Sequence, residues 1–225
     1  MMLPSLVLIL KLTNMFTGII TTKGVVRTVA PGAHTTRITF SKPASWRVQN
    51  GESIAIDGVC STVVGKSATQ FSVEYMKETL RKTTVRNWRV GSIRNLERPM
   101  KYGDRVHGHF ILGHVDNVAK VKSVGKSARE FLLTFTTPKN IHRYIVPHGS
   151  IALNGVALTL ARVTKTTFTV ALVPYTLKVT NIAMLRKGDI VNVEVDYLAR
   201  YHLTKTKRAT VAPHAKKTVR KSRSR

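Results

Sequence analysis

Apolar residues along this chain fall into short runs that alternate with polar residues or stop at turn-forming dipeptides. The stretches "SIAIDGV" from Ser53 and "SIALNGV" from Ser150 each place an apolar run before Asp-Gly or Asn-Gly, which is a strong hairpin signal. The stretches "TQFSVEYM" from Thr69 and "TTFTVALV" from Thr166 are rich in residues that favour strands. Helical periodicity is absent before Tyr197. The pattern predicts an all-β chain that ends in a short helix.

The second half of the chain repeats the first half. From Ser53 to Glu97 the second copy follows without gaps at a shift of 97 residues, and upstream the shift is 95. The short strands in each copy predict a small closed barrel, so we expect two tandem six-stranded antiparallel β-barrels that meet near residue 105. The expected domains are an N-terminal extension (1–14), a first barrel (15–104), a second barrel (105–198), and a short helix with a basic tail (199–225).

The two copies differ at one chemically important position, where Cys60 in the first copy is replaced by Ala157 in the second. Cys60 is the only cysteine in the sequence, so no internal disulfide can form, which fits a reducing compartment such as the cytoplasm. From the residues alone, Cys60 is either a small buried hydrophobe or a reactive group that only one barrel needs.

The formal net charge of the chain is +26, which is extreme for 225 residues. From Ala199 onward the sequence holds ten Lys or Arg and no acidic residue, and the preceding part still carries about +16. Two interpretations stay open: a solvated basic tail, or non-specific contact with a polyanion such as nucleic acid. Base-reading motifs and aromatic clusters beside basic residues are absent from the sequence.

The first fourteen residues, "MMLPSLVLILKLTN", contain a short apolar run. No basic residue precedes that run, no small-residue cleavage site follows it, and it is too short to span a bilayer. We interpret the segment as a short extension, or as an early start ahead of Met15, and we expect no membrane contact.

Six stretches together resemble the riboflavin synthase family of the α-chain type, which carries tandem lumazine-binding domains. They are "MFTGII", "SIAIDGVCSTV", "MKETLRKTT", "NLERP", "GHFILGHVD" and "VNVEVDYLARY", in the family's order and spacing over about residues 15–203. The resemblance implies a cofactor-free dismutation of two molecules of 6,7-dimethyl-8-ribityllumazine. One molecule gives a four-carbon unit to the other, which yields riboflavin and 5-amino-6-ribitylamino-2,4-pyrimidinedione.

The resemblance also implies a homotrimer whose active site lies between the first barrel of one subunit and the second barrel of another. Two identical substrates must bind there in different roles, and pre-orienting the two rings lowers the barrier to their reaction. A group that activates the acceptor ring by transient addition is needed in one barrel only. We therefore expect the barrel with Cys60 to hold the acceptor and the other barrel to hold the donor.

The resemblance implies site residues in both barrels. The expected catalytic residues are Cys60, His114, Ser53 and Asp196, of which Asp196 is expected to contact ligand bound to a neighbouring subunit. The expected substrate-binding residues are Thr62, Met76, Glu78, Thr79 and Gly108, joined in the second barrel by Thr159, Val173 and Thr176. Simpler roles stay open, such as turn hydrogen bonds, a structural histidine or a solvated carboxylate. No cofactor is expected, and no metal, because no zinc-ligand spacing of histidines is supported by cysteine.

The sequence departs from the family pattern at four places. Ala157 stands where most members have serine, His148 where they have lysine, and Tyr175 where they have histidine, while "VHGH" at 106–109 replaces "GGH". The change at Ala157 removes a hydroxyl donor, and these departures bear on catalytic rate and on donor binding in the second barrel.

Three functions compete at this point. The enzyme is favoured because Cys60 and His114 are both present in the chain. One alternative is a non-catalytic lumazine- or flavin-binding protein, and another is a basic barrel recruited to an RNA-associated structural role. The net charge favours the last of these, and the intact first-barrel motif opposes it.

Overall fold

The computed structural model describes residues 15–126 and 131–208, and every structural statement below concerns these residues. The expected N-terminal extension (1–14) and most of the expected basic tail (209–225) lie outside the described residues. Within the two described ranges, no helix is both long and apolar enough to cross a membrane.

Six antiparallel strands close into a first barrel in the order β1-β2-β5-β4-β3-β6. A six-residue helix and a 3-10 turn (Thr84–Asn87) cross one end of this barrel between β5 and β6. The elements are β1 (Thr22–Pro31), β2 (Thr35–Ser41), β3 (Ser53–Ile56), β4 (Val59–Lys66), β5 (Gln70–Met76), α1 (Lys77–Lys82) and β6 (Ile93–Glu97).

The second barrel repeats this arrangement with a closed order of β10-β11-β8-β7-β12-β9. Short 3-10 turns lie at His142–Tyr144 and Asn181–Met184. The elements are β7 (Asn117–Lys126), β8 (Phe131–Thr136), β9 (Ser150–Leu153), β10 (Val156–Val163), β11 (Thr167–Leu172), α2 (Pro174–Val179), β12 (Ile190–Val195) and α3 (Tyr197–Arg208). The predicted pair of six-stranded antiparallel barrels is therefore confirmed.

Strand alternation fills each barrel with its own core. In the first barrel the buried ring of Phe40 stacks on Phe71 at 5.5 Å between centroids, and Trp88 packs edge-on against Phe40 and Tyr75, each at 5.8 Å. Such offset and edge-on pairs add stability beyond the area they bury. The residues that alternate with the buried ones point out of the barrel, as Cys60 does on β4, and they face neighbouring segments or solvent.

The hairpin turn of each barrel meets the turn of the other. Asp57 and Gly58 have φ angles of 45° and 76°, and Asn154 and Gly155 have 46° and 76°, as a two-residue type I′ turn requires. A Cβ atom at Gly58 would lie 2.7 Å from the backbone nitrogen of Gly155, and the reverse contact is the same. Glycine is therefore required in both turns for the backbones to approach this closely.

Two buried asparagines, Asn95 and Asn192, join the barrels around these turns. Asn95 donates its side-chain amide to the carbonyl of Asn154 at 3.0 Å, and Asn192 donates to the carbonyl of Asp57 at 2.8 Å. Each asparagine also accepts a backbone N–H from the 3-10 turn of the opposite barrel, at 2.7 and 2.8 Å. The amides are therefore satisfied across the interface, which fixes the relative orientation of the barrels.

The segments that precede the two barrels cross each other. Phe16 donates its backbone N–H to Ile111 at 2.8 Å and accepts from it at 3.0 Å. Beyond this crossing, Ile20 packs in the core of the second barrel, and Val115 packs against the core of the first. Each barrel is thus completed by the segment that leads into the other.

The close contact of the two turns predicts that Gly58→Ala lowers the free energy of unfolding more than Gly51→Ala does. Both glycines have left-handed φ angles, 76° and 81°, so each substitution introduces backbone strain of about 1 kcal/mol. A Cβ at Gly58 also meets Gly155, whereas a Cβ at Gly51 meets nothing within 4 Å. In urea denaturation we expect losses of about 3 kcal/mol and about 1 kcal/mol respectively. Equal losses would contradict the tight packing of the turns.

Candidate active site

One cleft of about 300 Å³ brings together four of the residues expected from the sequence. The first barrel supplies β4 and α1, and the segment that leads into the second barrel supplies the opposite wall. The cleft is lined by Val59, Cys60, Glu78, Thr79, Lys82, Thr83, Gly113, His114 and Val115. We refer to it as the Cys60 cleft.

Cys60 lies on the outward face of β4 because the alternate residues Val59, Ser61 and Val63 turn inward and are buried. Burial raises the pKa of its thiol, the hydrogen bond with the Ser53 side chain lowers the pKa, and the charge of Glu194 raises it. The net shift is upward, so the group held at neutral pH is the thiol and not the thiolate.

Gly113 holds the far wall of the cleft against Cys60. The backbone N–H of Cys60 donates to the carbonyl of Gly113 at 2.9 Å. A Cβ at Gly113 would lie 2.6 Å from the Cβ of Cys60, so only glycine allows this approach. His114 follows directly in the chain, and its exposed side chain lines the cleft.

Glu78 and Thr79 reach the cleft from α1. Glu78 is exposed and forms ion pairs with Arg81 at 2.8 Å and with Lys82 at 2.9 Å. Hydrogen bonds from these two side chains lower the pKa of Glu78 to about 2, so it is ionised throughout the neutral range. Thr79 is half-buried, and its carbonyl accepts from Thr83 at the end of the helix. The rim of the cleft therefore carries charges of both signs.

Three other expected residues of the first barrel do not line the Cys60 cleft. Thr62 is exposed two positions beyond Cys60 on the same face of β4, and Met76 is 60% exposed just before α1. Ser53 is buried and pairs with Thr62 in the β3–β4 ladder, so it acts on the cleft through its contact with Cys60.

The corresponding place in the second barrel is built the same way and carries different chemistry. The backbone N–H of Ala157 donates to Gly18 at 3.0 Å, which repeats the bond between Cys60 and Gly113. The positions of Cys60, Glu78, Lys82 and His114 are taken there by Ala157, Tyr175, Val179 and Ile19. A thiol, two charged groups and a histidine are thus replaced by a methyl group, a phenol and two aliphatic side chains.

The expected ligand contacts of the second barrel lie on or beside the elements that carry this uncharged counterpart. Thr159 is exposed on β10, Val173 is 61% exposed before α2, and Thr176 is half-buried in α2. Gly108 is exposed, and a Cβ there would lie 2.0 Å from the carbonyl oxygen of Thr17 and 2.9 Å from the Cβ of Ala157. These residues are not among those that line the Cys60 cleft of the same chain.

Asp196 lies apart from the Cys60 cleft, at the start of α3. It is half-buried and accepts the N–H of Leu198 at 2.9 Å. Burial lowers the pKa of His109, and the charge of Asp196 opposes that shift. The Nε2 atom of His109 is buried without a hydrogen-bond partner among the described residues. Our sequence reasoning did not select His109, although the "VHGH" stretch contains it.

Two of the clefts that are larger than the Cys60 cleft contain none of the expected site residues. One of about 640 Å³ is lined mainly by Trp46, Glu52, Glu97, Arg98 and the 99–107 connection. The other, of about 580 Å³, follows the junction of the barrels beside Arg94 and Asn181. Among residues 15–126 and 131–208, no group of three His, Cys, Asp or Glu side chains is placed to hold a metal ion. The Cys60 cleft is smaller than these two clefts, and it is distinguished by the thiol, the histidine and the charged side chains that line it.

Structural comparison shows a shared fold. A solved structure of LumP complexed with riboflavin matches with a TM-score of 0.74 at 24% identity, covering 80% of this chain and 98% of that chain. LumP complexed with 6,7-dimethyl-8-(1'-D-ribityl) lumazine matches with a TM-score of 0.73 at 23% identity and the same coverage.

Sequence comparison identifies the family. The lumazine binding domain model matches the chain twice, at residues 17–99 and 112–196. Riboflavin synthase of Brucella abortus (strain 2308) is 40% identical over 198 residues, which cover 83% of this chain and 96% of that protein. Riboflavin synthase of Bacillus subtilis (strain 168) is 33% identical over 188 residues, covering 83% and 87%. The chain therefore belongs to the riboflavin synthase family, with two lumazine-binding domains in tandem.

Proposed function

We propose that this protein is a riboflavin synthase that converts two molecules of 6,7-dimethyl-8-ribityllumazine into riboflavin and 5-amino-6-ribitylamino-2,4-pyrimidinedione. The observation that carries the proposal is the Cys60 cleft, which places a thiol, a histidine and a charged rim in one of two lumazine-binding domains. The direct test is to incubate the purified protein with the lumazine and to follow riboflavin by its fluorescence.

The reaction requires one lumazine to lose a proton from a ring methyl group and the other to accept a carbon nucleophile. The two rings must be held in contact, and this pre-orientation supplies several kcal/mol of the barrier. The two barrels share one fold but present different side chains, which suits the different roles of the donor and the acceptor lumazine. The first barrel takes the acceptor in the Cys60 cleft, and the second barrel of a neighbouring subunit takes the donor.

Cys60 enters this reaction as a thiol because its pKa is raised. Transient addition of sulfur to the acceptor ring therefore needs a base for the thiol proton. His114 lines the same cleft and is the group suited to accept and return that proton. Asp196 belongs to the contact with ligand in the neighbouring subunit, and it is not among the residues that line the Cys60 cleft of its own chain.

A second candidate function is a protein that binds lumazine or flavin without turnover; the solved LumP structures are complexes with 6,7-dimethyl-8-(1'-D-ribityl) lumazine and with riboflavin. The likeness to LumP at 23–24% identity carries the fold alone. The joint presence of Cys60 and His114 in one cleft favours the enzyme. Binding of the lumazine without riboflavin formation would favour the second candidate.

The proposal extends to assembly and location. The protein forms a homotrimer, lies in the cytoplasm, and is divided as 15–104 and 105–198 with flanking segments. The α3 helix supports the trimer because Tyr197, Leu198 and Tyr201 are 43%, 63% and 51% exposed on it. The net charge of +26 supports weak, salt-dependent polyanion contact through the basic tail, which lies outside the described residues.

Cys60→Ser should reduce turnover by about tenfold or more with little change in stability, because a hydroxyl is a much weaker nucleophile than a thiol. Ala157→Ser is the matched control, since it introduces a hydroxyl at the equivalent position of the second barrel. We expect turnover of that variant to be no lower than that of the parent. Riboflavin formation at saturating lumazine measures both, and full turnover by Cys60→Ser would remove the thiol from the mechanism.

The two barrels should bind ligand unequally, and paired threonines on equivalent strands allow a comparison in the intact chain. Thr62→Ala should weaken riboflavin binding by about fivefold, which corresponds to the loss of about one hydrogen bond. Thr159→Ala should weaken it less, because the second-barrel counterpart lacks the polar groups of the Cys60 cleft. Fluorescence quenching titrations measure both variants, and a larger effect of Thr159→Ala would reverse the assignment of the main ligand site.

Leu198→Glu should dissociate the trimer, because it places a charge on the exposed apolar face of α3. Val90→Glu is the matched control, since Val90 is 65% exposed on the first barrel, away from that helix. Sedimentation equilibrium should give a trimer for the parent and for Val90→Glu, and a smaller species for Leu198→Glu. A monomeric parent would contradict the proposed assembly.

A further inference from the structure

Glu194 on β12 is a buried carboxylate that the proposed mechanism does not use. It is 5% exposed, and its Oε1 accepts the backbone N–H of Leu112 at 2.7 Å. The N–H groups of Gly113 and His114 also interact with this carboxylate. Its Oε2 is buried and has no hydrogen-bond partner among the described residues.

The equivalent carboxylate of the first barrel, Glu97, is more fully satisfied. It accepts the backbone N–H of Thr17 at 2.7 Å, the hydroxyl of Thr17 at 3.0 Å and the N–H of Gly18 at 3.0 Å. The repeat places Leu112 at the position of Thr17, and leucine offers no hydroxyl. Glu194 therefore accepts hydrogen bonds only from backbone N–H groups of the crossing segment. Its Oε2 atom is buried and has no donor among the described residues.

The segment that Glu194 holds is the wall of the Cys60 cleft. Glu194 accepts a hydrogen bond from the backbone N–H of Leu112 in this segment. The carbonyl of Gly113, in the same segment, accepts the N–H of Cys60 at 2.9 Å. The peptide at Gly113 is thus held from two sides, and His114 follows it directly.

We propose that Glu194 is a positioning residue that fixes His114 beside Cys60 by holding the backbone of residues 112–114. The expected effect on kcat rests on the proposed function. The contact between Glu194 and residues 112–114 rests on the geometry alone.

The contact between Glu194 and residues 112–114 depends on pH because the Glu194 carboxyl titrates near neutrality. Burial raises the pKa of Glu194 to about 7, and the charge of Asp116, which is ion-paired with Arg200, adds to that shift. The Cys60 thiol on β4 is a further titratable group that interacts with the charge of Glu194, whereas His114 contacts the carboxylate through its backbone N–H. An ionised carboxylate accepts these N–H groups more strongly than a neutral one. The N–H bonds to the segment lower the pKa of Glu194, so each of them is stronger above about pH 7, although the raised pKa means that ionisation lowers the free energy of unfolding.

The kinetic experiment compares the parent with Glu194→Gln and with the matched variant Glu97→Gln across the neutral pH range. Glu194→Gln should lower kcat by about tenfold to hundredfold with little change in KM, because a misplaced catalytic group costs rate more than binding. The parent's kcat should rise through about pH 7, and Glu194→Gln should lose that rise while Glu97→Gln keeps it. An unchanged kcat and pH profile in Glu194→Gln, or the same losses in both variants, would overturn the proposal.

A double-mutant cycle tests whether Glu194 acts through His114. His114→Ala alone should lower kcat, and adding Glu194→Gln to it should cause little further loss. Independent, multiplying losses would overturn the proposal, and so would full activity of His114→Ala. Thermal denaturation shows that each variant is folded before its rate is compared.

Backbone amide NMR separates this inference from the proposed function. In the parent, the amide resonances of Leu112, Gly113 and His114 should shift with a midpoint near pH 7, and this titration should be absent from Glu194→Gln. Glu97→Gln should retain it. If the parent binds lumazine without turnover, the proposed function fails and the amide titration alone decides the positioning role. Absence of the titration from the parent would overturn the positioning role.

Discussion

The structure depends on the crossing of the two segments that lead into the barrels. Phe16 and Ile111 exchange backbone hydrogen bonds at 2.8 and 3.0 Å, and each segment then continues into the opposite barrel. Because of this exchange, the backbone that faces the equivalent strands β4 and β10 comes in each case from a crossing segment: Gly113 lies against Cys60, and Gly18 lies against Ala157. A barrel cut out at residue 104 would lose the wall of its own cleft, so the two repeats form one functional unit.

The junction of the barrels combines approximate symmetry with one buried charge. Asp57 is fully buried and pairs with Arg94 at 3.1 Å, while its counterpart in the second barrel is the neutral Asn154. Burial raises the pKa of Asp57, and the Arg94 charge with hydrogen bonds from Asn95 and Asn181 opposes the shift. A buried pair of this kind adds little net stability, but breaking it strands a charge. The pair also makes the two hairpin turns chemically different, since the second turn has the neutral Asn154 at the position of Asp57.

Local sequence signals predicted the fold well and the site in part. The Asp57-Gly58 and Asn154-Gly155 dipeptides marked the hairpins because a type I′ turn needs left-handed backbone at both positions. The proximity of Cys60 to His114 followed only from resemblance, since 54 residues of sequence separate them. The contact of Glu194 with Leu112 spans 82 residues and joins a side chain to a backbone group, so no residue pattern reports it. The sequence also did not predict that Ile20 packs in the core of the second barrel and Val115 against the core of the first, because each lies far along the chain from most of the residues it contacts.

Duplication explains how one fold offers two chemically different surfaces to identical molecules. The backbone frame is retained in both copies, as the matching bonds to Gly113 and Gly18 show. Side chains that point out of the barrel interiors are freer to change, although Cys60 and Ala157 both pack against a small buried cluster at the crossing, formed by Phe16, Ala55, Ile111 and Ala152. The cleft at Cys60 carries a thiol, a histidine and two charged side chains, and the equivalent positions beside Ala157 hold Tyr175, Val179 and Ile19. The outward-facing residues therefore make the two barrels chemically different, as the proposed function requires of its two substrate roles, while the inward-facing residues keep the two barrels alike.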